Sequence, residues 1–363
     1  MITWRCWSKT LSALLATSKI VTFATRLNTS QGRINKVTQP HRPGVAQASL
    51  VLAFFLAALS LLACSVQGPA APASGAEHFS AQRLPGAHGE ELWALQRGPL
   101  VPPLRYRVVV VPGSGCAGMG PFADRYFRGL LHAQVTVLHK PGVHPADTTP
   151  AADCPARFVQ ADHLSAWAHH ARAALKQLTT TQGHSHTDVP WLLVGISEGV
   201  ELLPSLAASA GAGLAGLVMM AGSGLDPRDA GQMQAERQGH AADWAALGRA
   251  QAGPGADTQL VQGRSLRYWR DLWQWPVQQP LLQGPWPVLH AWGDADDMVP
   301  PAAYEQFAQR AQHRSAPYCA LRLAGANHGL QAGEVDGLQQ VWAALEGWGR
   351  TPQRGLCASV TFR

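Results

Sequence analysis

Trp191-Leu192-Leu193-Val194-Gly195-Ile196-Ser197-Glu198-Gly199-Val200-Glu201-Leu202-Leu203 divides into three parts with different physical demands. Trp191–Val194 is short and wholly apolar, as expected of a strand buried on both faces. Gly195 to Gly199 is a turn of the form G-x-S-x-G, whose flanking glycines let neighbouring backbone approach without a Cβ clash. Val200–Leu203 suits a helix, and the N-terminus of that helix favours negative charge. Pro204 falls early in it and is expected to kink it. A strand turning this sharply into a helix stands Ser197 out from the sheet, the context in which the motif has mechanical meaning. With 36 glycines in the chain, G-x-S-x-G alone would say little. Its position directly after a buried strand gives it weight.

The flanking sequence repeats this alternation. Tyr106–Val111 (YRVVVV), Ala133–Leu138 (AQVTVL), Leu217–Ala221 (LVMMA), Pro287–Trp292 (PVLHAW) and Ala320–Leu323 (ALRL) read as further buried strands. Leu164, Trp167, Ala171, Leu175 and Leu178 fall on one helical stripe, and helical patterns cover Ala302–Gln312 and Leu338–Trp348. Strands alternating with helices predict an α/β fold: a mostly parallel twisted sheet with helices on both faces. Residues 225–286 break the pattern. They are polar and aromatic, with Trp244, Tyr268, Trp269, Trp273, Trp275 and Trp286, and are too long for an ordinary connection. They read as a helical lid inserted over one end of the sheet, its aromatics divided between packing and an apolar or sugar-binding cleft.

A serine on such a turn needs a base, and the base needs an orienting carboxylate. The strand at 287–292 runs into Gly293-Asp294-Ala295-Asp296-Asp297-Met298-Val299-Pro300, and the strand at 320–323 into Ala324-Gly325-Ala326-Asn327-His328-Gly329. Both loops follow the carboxyl ends of strands, where open parallel sheets place their sites. The order Ser, Asp, His, each after its own strand, resembles the α/β-hydrolase superfamily over about residues 106–348. The superfamily's Gly-x-x-Asp-x-x-Val-Pro pattern matches Gly293, Asp296, Val299 and Pro300, and its His-Gly ending matches His328-Gly329. The resemblance therefore implies Ser197 as nucleophile, His328 as base and Asp296 as acid, with Asp294 and Asp297 as alternative acids. The superfamily's oxyanion loop usually reads His-Gly-x. Pro112-Gly113-Ser114-Gly115 stands in its place, so the backbone N–H groups of Ser114 and Glu198 become the expected oxyanion donors, with Gly115 as the alternative. The activity implied is hydrolysis of an ester-type acyl bond through an acyl-enzyme. An acyltransferase, a peptidase, or an inactive binding lipoprotein on the same fold are the alternatives. The expected partner is a small acyl substrate; no cofactor and no metal are expected.

The remaining polar residues read more plainly. His290 lies inside a strand and suits a satisfied core position. His169, His170, His184 and His186 lack carboxylates at ligand spacing and read as solvated surface. Glu198 and Glu201 read as helix N-terminal charges that favour the dipole.

Charge and cysteines locate the protein. The net charge of +6 would ordinarily suggest nucleic acid or a membrane surface. Residues 1–64 hold seven basic side chains (Arg5, Lys9, Lys19, Arg26, Arg33, Lys36, Arg42) and no acid, which leaves the rest of the chain at −1. The positive balance is thus a property of the leader, and no nucleic-acid partner is expected. Leu50–Ala63 is an uncharged run of 14 residues followed by Cys64, and Leu61-Leu62-Ala63-Cys64 resembles a bacterial lipobox. The reading is a lipoprotein signal over 1–64 with lipidation at Cys64, a Gly/Ala/Pro/Ser-rich tether at 65–76, and one domain at 77–363 held at the cell envelope. Residues 1–44 exceed a signal's basic region, and translation is expected to start downstream at a non-Met codon. An uncleaved anchor, a plain secretory signal and an organellar transit peptide are the other readings, though 14 residues span only about 21 Å of a roughly 30 Å membrane core. In an exported protein, Cys116, Cys154, Cys319 and Cys357 suggest two disulfides with three connectivities. Chain order favours Cys116–Cys154 and Cys319–Cys357; four buried thiols are the alternative.

Overall fold

The computed structural model describes residues 78–181, 189–211 and 213–359. The leader, Cys64, the tether, His184 and His186 lie outside the described residues.

Eight strands form one sheet: β1 (Ser80–Pro85), β2 (Glu91–Arg97), β3 (Tyr106–Val111), β4 (Ala133–Leu138), β5 (Trp191–Ile196), β6 (Leu214–Met220), β7 (Val288–Gly293) and β8 (Tyr318–Leu323). Their spatial order is β1-β2-β4-β3-β5-β6-β7-β8. β2 runs antiparallel to β1 and β4, and every other pair is parallel. The helices that matter here are α1 (Leu164–Thr181), α2 (Gly199–Ala207), α3 (Pro227–Arg237), α4 (Ala241–Ala252), α5 (Leu266–Gln274), α6 (Gln278–Gln283), α7 (Pro301–Ala311) and α8 (Gly337–Arg350).

The period-2 geometry of a strand sends alternate side chains to opposite faces, and the β-branched runs exploit it. Val109, Val111 and Leu193 enter a layer shared with α1, α2, α5, α6 and α7. Val108, Val110, Leu192 and Val194 enter the opposite layer, with α8 and the Ala123–Leu130 segment. The helix after β5 and the segment after β3 thus leave to different faces. Strand order reverses between β3 and β5, so Ser197, directly after β5, stands at that switch point.

The predicted strands and helices are present, with boundaries one to three residues longer at several ends. β1 and β2 were not anticipated. β1 (SAQRLP) is an edge strand with mostly exposed side chains, and β2 (ELWALQR), though largely buried between β1 and β4, is interrupted by polar residues. α2 continues through Pro204 to Ala207.

Residues 225–286 hold α3 to α6 and a two-stranded hairpin (Leu260–Val261 with Arg264–Ser265). Their aromatics are not divided between core and cleft. Trp244 stacks on Trp273 with ring centroids 4.8 Å apart and meets Trp269 edge-on. With Tyr268, Trp275 and Trp286 they all pack into the α1–α2 layer. His290 is a core residue as expected: Nε2 contacts the Gly222 carbonyl at 2.9 Å and Nδ1 the Tyr318 hydroxyl at 3.0 Å. Burial pushes its pKa down to about 4. His169 is exposed, but His170 is buried, and its Nδ1 accepts from the Ala87 N–H. The four cysteines pair as Cys116–Cys154 and Cys319–Cys357. The first ties the loop after β3 to the segment before α1. The second ties β8 to the short helix at Leu356–Ser359.

Candidate active site

Ser197 follows β5 with φ +54°, in the left-handed region. A non-glycine residue there costs on the order of 1–3 kcal/mol and persists only where the surroundings over-determine it. Here the Ser197 N–H donates to the Met220 carbonyl at 2.8 Å, and the Ser197 carbonyl accepts from Val200 at 3.0 Å. The motif glycines are sterically required. A Cβ on Gly199 would lie 2.1 Å from the Val111 carbonyl oxygen, and one on Gly195 would lie 2.7 Å from Val200 backbone.

His328 sits in the loop after β8, which Asn327 shapes by accepting the N–H groups of Gly329 and Gln331. Its Nε2 is 3.0 Å from Ser197 Oγ and its Nδ1 is 2.8 Å from Asp296 Oδ2. With Nδ1–H donating to the carboxylate, Nε2 is left to accept the serine proton. Asp296 is fully enclosed by protein: Oδ1 accepts from the N–H groups of Met298 and Val299, and Oδ2 also accepts from the Tyr304 hydroxyl at 2.6 Å. Burial by itself would raise the Asp296 pKa. Hydrogen bonds from His328, Tyr304 and Val299, with the field of His328, outweigh it and hold the carboxyl below its ordinary value. The alternative acids are engaged elsewhere. Asp294 accepts from Gly325 N–H and pairs with Arg322, while Asp297 is exposed. Tyr304 escaped the sequence reading; its only signal was a tyrosine on the buried face of a helix, where a hydroxyl needs a partner. Arg237 also escaped it. From α3, its guanidinium donates to the carbonyls of Asp296 at 2.9 Å and Asp297 at 2.6 Å.

The loop after β3 lies against the serine: a Cβ on Gly113 would be 3.2 Å from Ser197 Cβ. Gly115 turns the chain with φ +100°, and Cys116 then enters its disulfide. The backbone N–H groups of Ser114 and Glu198 make no hydrogen bond to another described residue.

The side chain of Glu198 differs from the expected dipole charge. It is buried, with Oε2 2.5 Å from Lys140 Nζ and Oε1 accepting from the Tyr268 hydroxyl at 2.9 Å. Lys140 also donates to Asp162 at 2.8 Å and lies 4.6 Å from the Trp167 ring centroid. Asp162 in turn pairs with Arg264 of the inserted hairpin. Burial would lower the Lys140 pKa, but the charges of Asp162 and Glu198 overcome it and raise it. Glu201 is likewise no dipole charge: its Oε2 is sealed from solvent without a partner.

No protein-family model matches the sequence, and no curated protein matches it. Solved structures do. A puromycin-hydrolysing peptidase from Mycobacterium tuberculosis superposes with a TM-score of 0.53 at 17% identity, over 75% of this chain and 38% of its own. The chain thus spans well under half the length of that peptidase. Est1E from Butyrivibrio proteoclasticus with ferulic acid bound gives 0.52 at 14% identity, over 76% of this chain and 99% of its own. DcsB in complex with its substrate analogue gives 0.50 at 15%, over 76% and 100%. Strand order, parallel sheet and these neighbours together define the class: the chain has the α/β-hydrolase fold.

Proposed function

We propose that the protein is a serine hydrolase that cleaves an ester-type acyl bond through an acyl-enzyme. The observation that carries this reading is the continuous contact Ser197 Oγ–His328 Nε2 and His328 Nδ1–Asp296 Oδ2, at 3.0 and 2.8 Å, with Ser197 on a strained turn. Ser197 attacks the carbonyl carbon while His328 takes its proton, and Asp296 stabilises the imidazolium. The oxyanion is received by the amides of Ser114 and Glu198; one such donor is typically worth about 100- to 1000-fold in rate. His328 then protonates the leaving alcohol, and a water activated by the same histidine releases the acid. The structural neighbours include a puromycin-hydrolysing peptidase and Est1E with ferulic acid bound, which supports acyl chemistry at this fold's site.

The experiment is a panel of p-nitrophenyl and naphthyl esters. The wild type is expected to hydrolyse at least one with saturation, and Ser197→Ala is expected to lower kcat by about 10⁴-fold or more. A well-folded wild type inert to the whole panel, or a Ser197→Ala variant as active as wild type, would overturn the proposal.

The remaining expectations belong to this reading. Two disulfides among the described residues support export to an oxidising compartment. Among those residues no helix is long and apolar enough to cross a membrane. Attachment through a lipidated Cys64 and the 65–76 tether is part of the proposal. Residues 225–286 would cover the site from one side, with 77–363 as a single catalytic domain.

A further inference from the structure

Four charged side chains and a tyrosine meet in the interior beside the serine turn: Lys140, Asp162, Glu198, Arg264 and Tyr268. They come from four separate parts of the chain. Lys140 lies two residues beyond β4, Asp162 just before α1, Glu198 directly after Ser197, and Arg264 and Tyr268 in the 225–286 insertion. Two cations balance two carboxylates. Removing such groups from water is expensive, and an apolar cluster of similar volume would stabilise the fold as well or better. The cluster therefore points to a geometric role, and its location shows where that geometry matters.

We propose that Lys140 and Tyr268, by gripping the two oxygens of the Glu198 carboxylate, position the backbone N–H of Glu198 for the oxyanion, which makes the insertion a fixed brace of the active site. This rests on the acyl-enzyme reading. Glu198 is the residue that would donate its N–H to the oxyanion, and its side chain is the nearest handle on that peptide. One oxygen is held from the loop after β4, by Lys140 at 2.5 Å, and the other from α5, by Tyr268 at 2.9 Å. Two restraints from independent elements leave the carboxylate no freedom to swing, so Cα and the peptide before it are fixed. Arg264 lies 4.8 Å from the Tyr268 ring centroid and pairs with Asp162, which holds Lys140. The grip is closed on itself. The insertion holds the acid loop as well, through Arg237. Lys140 and Tyr268 are positioning residues: they touch no reacting atom and act through Glu198.

The test compares Tyr268→Phe with wild type for kcat and KM on an ester substrate, and for affinity to an aryl trifluoromethyl ketone. The ketone forms a tetrahedral adduct that draws on the oxyanion donors, whereas the ground-state ester draws on them little. Tyr268→Phe keeps the ring under Arg264 and removes one hydroxyl. The expected result is a fall in kcat of about tenfold or more, an unchanged KM, and a loss of ketone affinity by the same factor. Glu198→Gln, which keeps a side chain able to bond both partners, should retain more activity than Glu198→Ala. Trp244→Phe, in the packing stack, should lower the melting temperature with kcat unchanged. If Tyr268→Phe melts earlier yet keeps kcat and ketone affinity within about twofold, the network is structural only and the proposal is wrong. Should that variant not fold, equal ketone affinity in Glu198→Gln, Glu198→Ala and wild type overturns it instead. A wild type that neither turns over ester nor binds the ketone removes the acyl-enzyme reading itself, a different outcome from normal wild-type kinetics with an unaffected Tyr268→Phe.

Discussion

Glu198 and Glu201 lie one helical turn apart in the same buried neighbourhood and are bonded very differently. Both oxygens of Glu198 are bonded, one by Lys140 and the other by Tyr268. Glu201 has a sealed, unpartnered oxygen; burial first, and the nearby Glu198 charge second, raise its pKa well above the ordinary carboxylate value. The folded protein therefore holds this proton more tightly than the unfolded chain does. The consequence for stability has a definite sign. Below pH 4.5, the ordinary glutamate value, both folded and unfolded states hold the proton. As pH rises above it the unfolded chain ionises while the folded one does not, so stability is lost progressively up to the folded pKa. Glu201→Gln does not titrate. Its melting temperature is expected to match wild type near pH 4 and exceed it by a margin that widens as the pH is raised from there. A constant offset across that range in thermal melts would contradict the assignment. Ser197, Asp296 and His328 were legible in the sequence because each sits in a short loop directly after an apolar strand, where local pattern and chain order suffice. Lys140, Tyr268, Tyr304 and Arg237 were not, because their partners are 8 to 70 residues away and only the tertiary fold brings them together.

Among the elements, the loop after β3 depends most on its neighbours. Gly113 passes under Ser197, Gly115 turns the chain, and Cys116 is bonded to Cys154 two residues before a short helix at Ala156–Ala161. The two disulfides span the same 38 residues of sequence, so loop entropy predicts a similar loss of about 3–4 kcal/mol when either is removed. Their effects on catalysis should differ. Replacing Cys116 and Cys154 by serine frees the loop that offers the Ser114 amide, and kcat is expected to fall by about tenfold. Replacing Cys319 and Cys357 frees β8 near its start, at the opposite end of the strand from the His328 loop, and kcat should stay within about twofold. Equal kinetic effects in parallel stability and activity assays would contradict this division. The central strands were readable as continuous apolar runs, whereas the β1–β2 hairpin was not. An edge strand with one solvated face loses the apolar signal that marks a buried one.

For the whole molecule, the charge asymmetry assigns the positive balance to residues 1–64 and leaves the folded body near neutral. Intact mass of the mature protein is expected to show a chain beginning at Cys64 with acyl chains attached; an unmodified Cys64 inside an intact chain would remove the anchor from the account. The mostly parallel sheet with helices on both faces was legible from alternation alone, because each helical stripe is followed by a run that must be buried. The role of residues 225–286 was not. Composition marked them as an insertion rich in tryptophan, but only the packing shows those rings filling the layer beside α1 and α2, with polar side chains reaching the two reactive loops.

Ser197 is proposed to be an activated nucleophile. This is tested most directly by treating the folded protein with a fluorophosphonate and mapping the adduct by peptide mass spectrometry. A single phosphonyl adduct on Ser197 is expected, absent from Ser197→Ala and strongly slowed in His328→Ala. A folded wild-type protein that acquires no adduct, or acquires it on another residue with Ser197 free, would contradict it.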